Sequence, residues 1–134
     1  SRIKMEDSIF TKIIKGEIPC HKVFEDEHTF AFLDIYPVQP GHTLVISKKQ
    51  VASVWDLEPA EYAALMNSVK YIALHLREVL GVPYVGEIVE GVDVPHAHVH
   101  LVPFSTSDEF RNMPDRSIEP DHQALAEMAK NIAL

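Results

Sequence analysis

The stretch His96-Ala97-His98-Val99-His100-Leu101-Val102-Pro103 decides how the rest of the chain is organised. Successive side chains of a strand point to opposite sides, so the three alternating histidines share one face. Ala97, Val99 and Leu101 fill the other face, which can pack on a core. An amphipathic strand whose polar face consists of imidazoles has three readings. It is a solvated strand face. It is a metal site, in which His96 with His98, or His98 with His100, chelates an ion. Or it is a site of acid–base or nucleophilic chemistry, where one imidazole attacks while its neighbours orient it and its target. His96 and His100 lie roughly 13 Å apart on an extended strand, so all three cannot close on one ion without a bulge.

Outward from this strand, the chain alternates short strands with helices. Val23-Phe24 and Thr29-Phe30-Ala31-Phe32-Leu33 read as a hairpin joined by the polar turn Glu25-Asp26-Glu27-His28. Pro37, Pro40 and Gly41 make a loop, and His42-Thr43-Leu44-Val45-Ile46 is a further, buried strand. Tyr84 to Val89 is another strand, and Pro95 to Pro103 contains the histidine strand. Ile9 to Ile14 repeats apolar residues at helical spacing, with Asp7 or Ser8 to cap it and Gly16 to end it. Asp56 to Gly81 holds the longest helix, with Pro59 suited to its first turn and Gly81 to its C-terminal cap. Asp121 to Leu134 is a final helix. The class is therefore α+β, with a mainly antiparallel, five-stranded sheet, a long central helix and a C-terminal helix.

The central helix carries an apolar stripe of Leu65, Val69, Ile72, Leu76 and Leu80, widened by Tyr62, Ala63, Met66 and Ala73. Either the helix is clamped within one domain, or a second chain covers part of it.

The chain has 134 residues, 46% hydrophobic and 24% charged, as in an ordinary soluble domain able to bury its own core. Its formal net charge of −8 disfavours a nucleic-acid scaffold, although one nucleotide needs only a few local donors. Cys20 is the one cysteine, so no internal disulfide forms, and a reducing, cytoplasmic setting is expected. No apolar run reaches membrane-spanning length and no signal peptide is visible. Ser1 to Lys4 read as a remnant ahead of a native start near Met5, leaving residues 5–134 as one domain.

The motif His-x-His-x-His with apolar x, followed by two apolar residues, resembles the signature of the histidine triad (HIT) family. Three other blocks resemble its nucleotide-binding, purine nucleoside phosphoramidase-like branch, in the same order. They are Asp7 to Pro19, Ala31 to Pro37, and Pro40 to Ile46; with the triad they cover roughly residues 7 to 104. The resemblance implies a nucleotide phosphoramidase or nucleotidyl hydrolase acting on derivatives of AMP or GMP. His98 would attack the α-phosphorus and form a covalent nucleotidyl-histidine, which water then hydrolyses. The carbonyl of His96 would fix the tautomer of the His98 ring. His100 would contact the phosphate or the bridging atom, and His42 would join the cluster. Asp34 would accept hydrogen bonds from the ribose hydroxyls, although an Asp ahead of Pro37 is also a common turn residue. Ile9, Phe10, Ile13, Ile18, Phe32, Leu33 and Ile35 match positions of the apolar slot for the base, and each would also pass as core. The resemblance also implies a two-fold homodimer through the helix Pro59 to Leu80, joining two sheets into one.

Two departures limit the match. Nucleotide-binding members carry an Asn and a Gly-Gln-Ser or Gly-Gln-Thr stretch that donates to phosphate. Here Val89-Glu90-Gly91-Val92-Asp93-Val94-Pro95 is shorter and places Asp93 near where a hydroxyl would be. Either Asp93 points elsewhere or the substrate differs from the usual purine nucleotide. Some members bind zinc through two cysteines of the first helix and a histidine after the Leu-Val-Ile strand. Ser8 and Thr11 stand at the cysteine positions, and Ser47-Lys48-Lys49-Gln50 lacks the histidine, so neither zinc nor any cofactor is expected. Cys20 is expected to be inert and partly buried. A dinucleoside polyphosphate hydrolase, a nucleotide-binding regulatory module with little turnover, and a histidine-bound metal protein remain as alternatives.

Overall fold

A computed structural model describes residues 5–134, so Ser1 to Lys4 lie outside the described residues. The order of elements is α1 (Ile9–Ile14), β1 (Lys22–Glu25), β2 (Thr29–Leu33), β3 (Thr43–Ser47), a 3-10 turn (Val54–Asp56), α2 (Pro59–Leu80), β4 (Tyr84–Ile88), β5 (His98–Phe104), α3 (Ser107–Phe110) and α4 (His122–Ile132). The five strands form one antiparallel sheet in the order β1-β2-β3-β5-β4. This is the expected α+β architecture. No described helix is long and apolar enough to cross a membrane.

Strand alternation divides the sheet into two faces with different duties. Ala31, Leu33, Val45, Val99 and Leu101 point to one side, where Leu65, Val69, Ile72 and Leu76 of α2 and Leu125, Ala129 and Ile132 of α4 complete the main core. Phe30, Phe32, Leu44 and Ile46 point to the other side and meet Phe10 and Ile13 of α1. The register pairs Ile46 with His98 and Leu44 with His100, which puts the imidazoles on the α1 side of the sheet. Covering both faces is why β2 and β3 are buried along their whole length.

Local chemistry sets the helix ends. Ser8 caps α1 by accepting from the Thr11 amide. Pro59 restricts Glu58 to extended backbone, so the turn from Val54 to Asp56 cannot run straight into α2. Gly81 closes α2 in the left-handed conformation. The short helix α3 has no periodic signal in the sequence. Its four residues are too few to show a helical period, and Thr106 with Glu109 caps it.

On α2, Leu65, Val69, Ile72 and Leu76 of the apolar stripe are buried. Met66, Ala73 and Leu80 are partly covered, while Tyr62, Tyr71, Leu74 and Val79 remain exposed.

The turn into β3 depends on Gly41. Its φ is +92°, and a Cβ there would lie 2.7 Å from Cδ1 of Leu80 and 3.2 Å from Cγ of Pro103. Gly41→Ala should therefore destabilise the fold by about 2 kcal/mol through backbone strain and crowding together. Chemical denaturation of the variant checks this, and a loss below about 0.5 kcal/mol would contradict it.

Candidate active site

The site forms where β5 begins, where the loop 34–42 turns back into β3, and where α1 crosses the sheet. Hydrogen bonds fix the protonation of each ring in turn. His98 Nδ1 lies 2.6 Å from the carbonyl of His96, so Nδ1 carries the proton and donates it. Nε2 of His98 is then the lone-pair nitrogen. His42 accepts the Val38 amide at Nδ1 (3.0 Å), so its proton sits on Nε2. That Nε2–H donates to Nδ1 of His100 at 3.0 Å, which leaves His100 with its proton on Nε2. A backbone carbonyl thus makes His98 a lone-pair donor, and a separate run of bonds from a backbone amide makes His100 a proton donor.

Ring packing holds these groups. His98 meets the edge of Phe10 at 5.1 Å and His100 at 5.2 Å between centroids, and Phe10 also packs on Phe32 at 5.5 Å. Burial keeps the His42 and His100 rings neutral. It lowers the pKa of His42 to about 4, against the attraction of Asp34 and with help from His100 and Arg116. Burial likewise lowers His100, followed by repulsion from His98, and outweighs the pull of Asp34, Glu90 and Asp93.

Asp34 follows β2 and lies beside this cluster, with Oδ2 3.7 Å from His42 Nε2. Its Oδ1 accepts the Tyr36 amide at 2.8 Å, so the turn role is present as well. An open cleft of about 810 Å³ runs past Asp34, His42 and His100 to Glu90, Asp93, Arg111 and Arg116. Asp93 lines this cleft, but Arg116 Nη1 stands 3.8 Å from its carboxylate and offsets part of the charge. Gln39 and Asn112 side chains tie the segment after β5 to the loop 34–42 and so hold the far wall.

The residues expected to form an apolar slot separate into groups. Phe10, Ile13, Ile18 and Phe32 pack together between α1 and the sheet, and Ile9 is exposed. Leu33 does not join them; the strand period turns it to the opposite face, into the core under α2 and α4. Ile35 is exposed and lines instead a small apolar cavity shared with Leu125 and Met128 of α4. Leu44 and Val94 do belong to the α1 cluster and were missed. The alternation of β3 carried the signal for Leu44, which shares a face with Ile46. His96 precedes β5, and its buried ring bonds to Ser47 and Ser8, so only its carbonyl addresses His98.

Two places could be considered for a metal. Asp34, His42 and His100 offer ligand atoms within 4.8 Å of one another. However, His42 reaches that point with a protonated Nε2, and moving the proton to Nδ1 would set it against the Val38 amide. At the two positions where the resemblance implies cysteines for a zinc site, Ser8 and Thr11 meet Gln50 and His96. Two hydroxyls and an amide, bonded to one another, are poor zinc ligands, so these residues do not fit the metal. Cys20 is half-buried, and burial pushes its thiol pKa up, which suits an inert thiol.

Residues 15–107 match the HIT domain. The chain belongs to the HIT family. It is 37% identical over 129 residues to an uncharacterised HIT-like protein of Mycoplasma genitalium, covering 89% of this chain and 92% of that one. It is 36% identical over 124 residues to an adenosine 5′-monophosphoramidase of Schizosaccharomyces pombe, again covering 89% and 92%. Its fold matches the crystal structure of a zinc-bound histidine triad protein of Mycobacterium smegmatis with a TM-score of 0.75 and 30% identity, over 92% of this chain and 88% of that one.

The neutral histidines of this HIT protein make its stability depend on pH. A histidine whose folded pKa is depressed binds fewer protons than in the unfolded chain, so stability is full above the unfolded value of 6.5 and falls as pH drops toward 4. His42 alone should contribute a loss of about 3 kcal/mol across that window. Thermal melts from pH 7 to pH 4 should show a steep fall in Tm that is shallower in His42→Asn. An equal slope in both would contradict the assignment.

Proposed function

We propose that this protein is a nucleotide phosphoramidase or nucleotidyl hydrolase that acts at the α-phosphorus of a purine ribonucleotide. The observation that carries the reading is the 2.6 Å bond from His98 Nδ1 to the His96 carbonyl, which leaves Nε2 as a lone-pair nucleophile. His98 attacks phosphorus, the bond to the leaving group breaks, and a nucleotidyl-histidine forms. Water then cleaves the phosphorus–nitrogen bond and releases the nucleoside monophosphate. His100 presents its Nε2–H to the phosphate or the bridging atom, and His42 keeps that proton on Nε2. Asp34 takes the ribose through the carboxylate oxygen not bonded to Tyr36. The base lies against Ile9, Phe10, Ile13, Ile18 and Phe32. The similarity to the S. pombe adenosine 5′-monophosphoramidase supports this substrate class. The single Cys20 fits a reducing cytoplasm. No metal is required.

Incubation with adenosine 5′-phosphoramidate and its 2′-deoxy analogue, followed by intact mass measurement, tests the reading. The wild type should release AMP, and His98→Ala should lose several orders of magnitude in kcat/KM while remaining folded. The 2′-deoxy analogue should be the poorer substrate, since it lacks one hydroxyl for Asp34. An adduct mapped to His96 or His100, or turnover retained in His98→Ala, would overturn the nucleophile. Binding without turnover would favour a regulatory module.

The working unit we propose is a homodimer of residues 5–134, built mainly through α2. Tyr62, Tyr71 and Leu74 stand exposed on this helix, and Met66 is only partly covered by the chain's own core. A two-fold contact would bury such a surface against its own copy. Light scattering should give a dimer at micromolar concentration, and Met66→Glu should shift it to monomer. A monomeric wild type would refute the proposal.

A further inference from the structure

His96 is fully buried, yet the chemistry proposed above uses only its carbonyl. The ring is held at both nitrogens. Nε2 lies 2.5 Å from the carbonyl of Ser47 and so carries the proton it donates. Nδ1 lies 2.7 Å from Ser8 Oγ and accepts its hydrogen. Ser8 is itself anchored: its Oγ accepts from the Thr11 amide at 3.0 Å, and its own amide donates to Gln50 Oε1 at 2.8 Å. The Thr11 hydroxyl donates to the same oxygen at 2.5 Å, and Gln50 Nε2 donates to the Glu6 carbonyl at 2.8 Å. The Thr11 hydroxyl also lies 3.3 Å from Ser8 Oγ and 3.4 Å from His96 Nδ1, at the longer end of hydrogen-bond range. Burial lowers the pKa of His96, against the bond to Ser47, which keeps the neutral tautomer that this pattern needs.

The position of the cluster gives it a use. The paired register of β3 with β5 stops at Ile46 and His98, so the peptide of His96 lies beyond the ladder. Its amide bonds only two residues back, to the carbonyl of Val94 at 2.8 Å, and the loop before it is short and exposed. The carbonyl that fixes the His98 tautomer shares its peptide with the Ala97 amide, which donates to the Val51 carbonyl at 2.8 Å. The anchored ring is the second hold on the same residue, from the side of α1.

We propose that Ser8, Thr11 and Gln50 are positioning residues: through the His96 ring they hold the carbonyl that keeps the proton of His98 on Nδ1 and its lone pair on Nε2. The catalytic part rests on the phosphoramidase reading above; the tautomer part does not.

The test uses the full chain and two variants. Ser8→Asp keeps an N-cap acceptor for α1 but removes the hydrogen given to His96 Nδ1. Gln50→Met removes the oxygen that holds Ser8 and Thr11 while keeping side-chain length. Long-range ¹H–¹⁵N spectra report the tautomers without substrate. The wild type should show His96 protonated on Nε2 and His98 on Nδ1, and both variants should show a mixed His98 signal. With adenosine 5′-phosphoramidate, kcat should fall about tenfold to a hundredfold, as expected for a nucleophile misplaced by about an ångström. KM should stay within about threefold, because groups that bind ground state and transition state alike are untouched. Ser8→Thr, which keeps the hydroxyl, should restore both readouts. An unchanged His98 signal and kcat in folded Ser8→Asp overturns the proposal, as does loss of kcat that Ser8→Thr fails to restore. If Ser8→Asp does not fold, the same outcomes in Gln50→Met decide it. A wild type with the expected tautomers and no turnover of any nucleotide would sink the phosphoramidase reading and leave the positioning of His98 intact.

Discussion

An imidazole can attack phosphorus only through a nitrogen without a proton, and the ring has two nitrogens between which the proton can move. The bond from His98 Nδ1 to the His96 carbonyl removes that freedom. Much of the surrounding structure can be understood as what keeps this acceptor in place. The Ser47 carbonyl and the Ser8 hydroxyl hold the His96 ring, and the Ala97 amide bonds to the carbonyl of Val51. On the far side, the Val38 amide sets the tautomer of His42, and His42 sets that of His100. Backbone groups stand at both ends of the cluster, and backbone groups do not titrate. The proton pattern is therefore as stable as the fold.

The sheet supplies the second requirement, which is a dry setting on the histidine side. A strand with one polar face is ordinarily solvated there. Here α1 covers that face, and Phe10 packs its edge on His98 while its neighbours Ile13 and Phe32 close the space beneath. The opposite face of the same strands is the main core under α2 and α4. A substitution in either layer thus bears on the site, because β3 and β5 are shared by both. Gly41 shows the coupling in one residue. Its left-handed turn delivers His42 to the cluster, and its missing side chain lets Leu80 of α2 approach.

Much of this was legible in the sequence, and the reasons differ by element. The helices α1, α2 and α4 carry apolar periods and caps within a few consecutive residues, so local physics suffices to find them. The period of two in β5 places Val99 and His98 on opposite faces without further information. What the sequence withholds are relations between distant segments. Nothing local places β3 between β2 and β5, and that neighbour relation is what sets Leu44 beside His100. The family resemblance puts Leu33 and Ile35 in one slot with Phe32, whereas the strand period and the turn at Asp34 send them elsewhere. Ser8, Thr11 and Gln50 stood out only for lacking metal-binding side chains. Their mutual bonds span about forty residues and close on His96 a further stretch away, so they exist only in the folded chain.

The charges of the cleft explain why burial is part of the chemistry. Asp34, Glu90, Asp93 and Asp115 line it against Arg111 and Arg116, an excess of negative charge next to the imidazoles of His42 and His100. In water such a surrounding would favour imidazolium, since an opposite charge nearby stabilises the charged ring. A protonated His100 would carry hydrogen on both nitrogens, and its Nδ1–H would then face the Nε2–H of His42. The bond between them would break, and with it the control of which nitrogen donates. Burial prevents this, as the lowered pKa of His42 and of His100 shows desolvation winning over the carboxylates. The acidic rim and the neutral His42 and His100 are compatible only because these rings are buried on the α1 side of the sheet. The apolar packing that stabilises the fold and the protonation pattern that the chemistry needs are in this sense one property of the same strands.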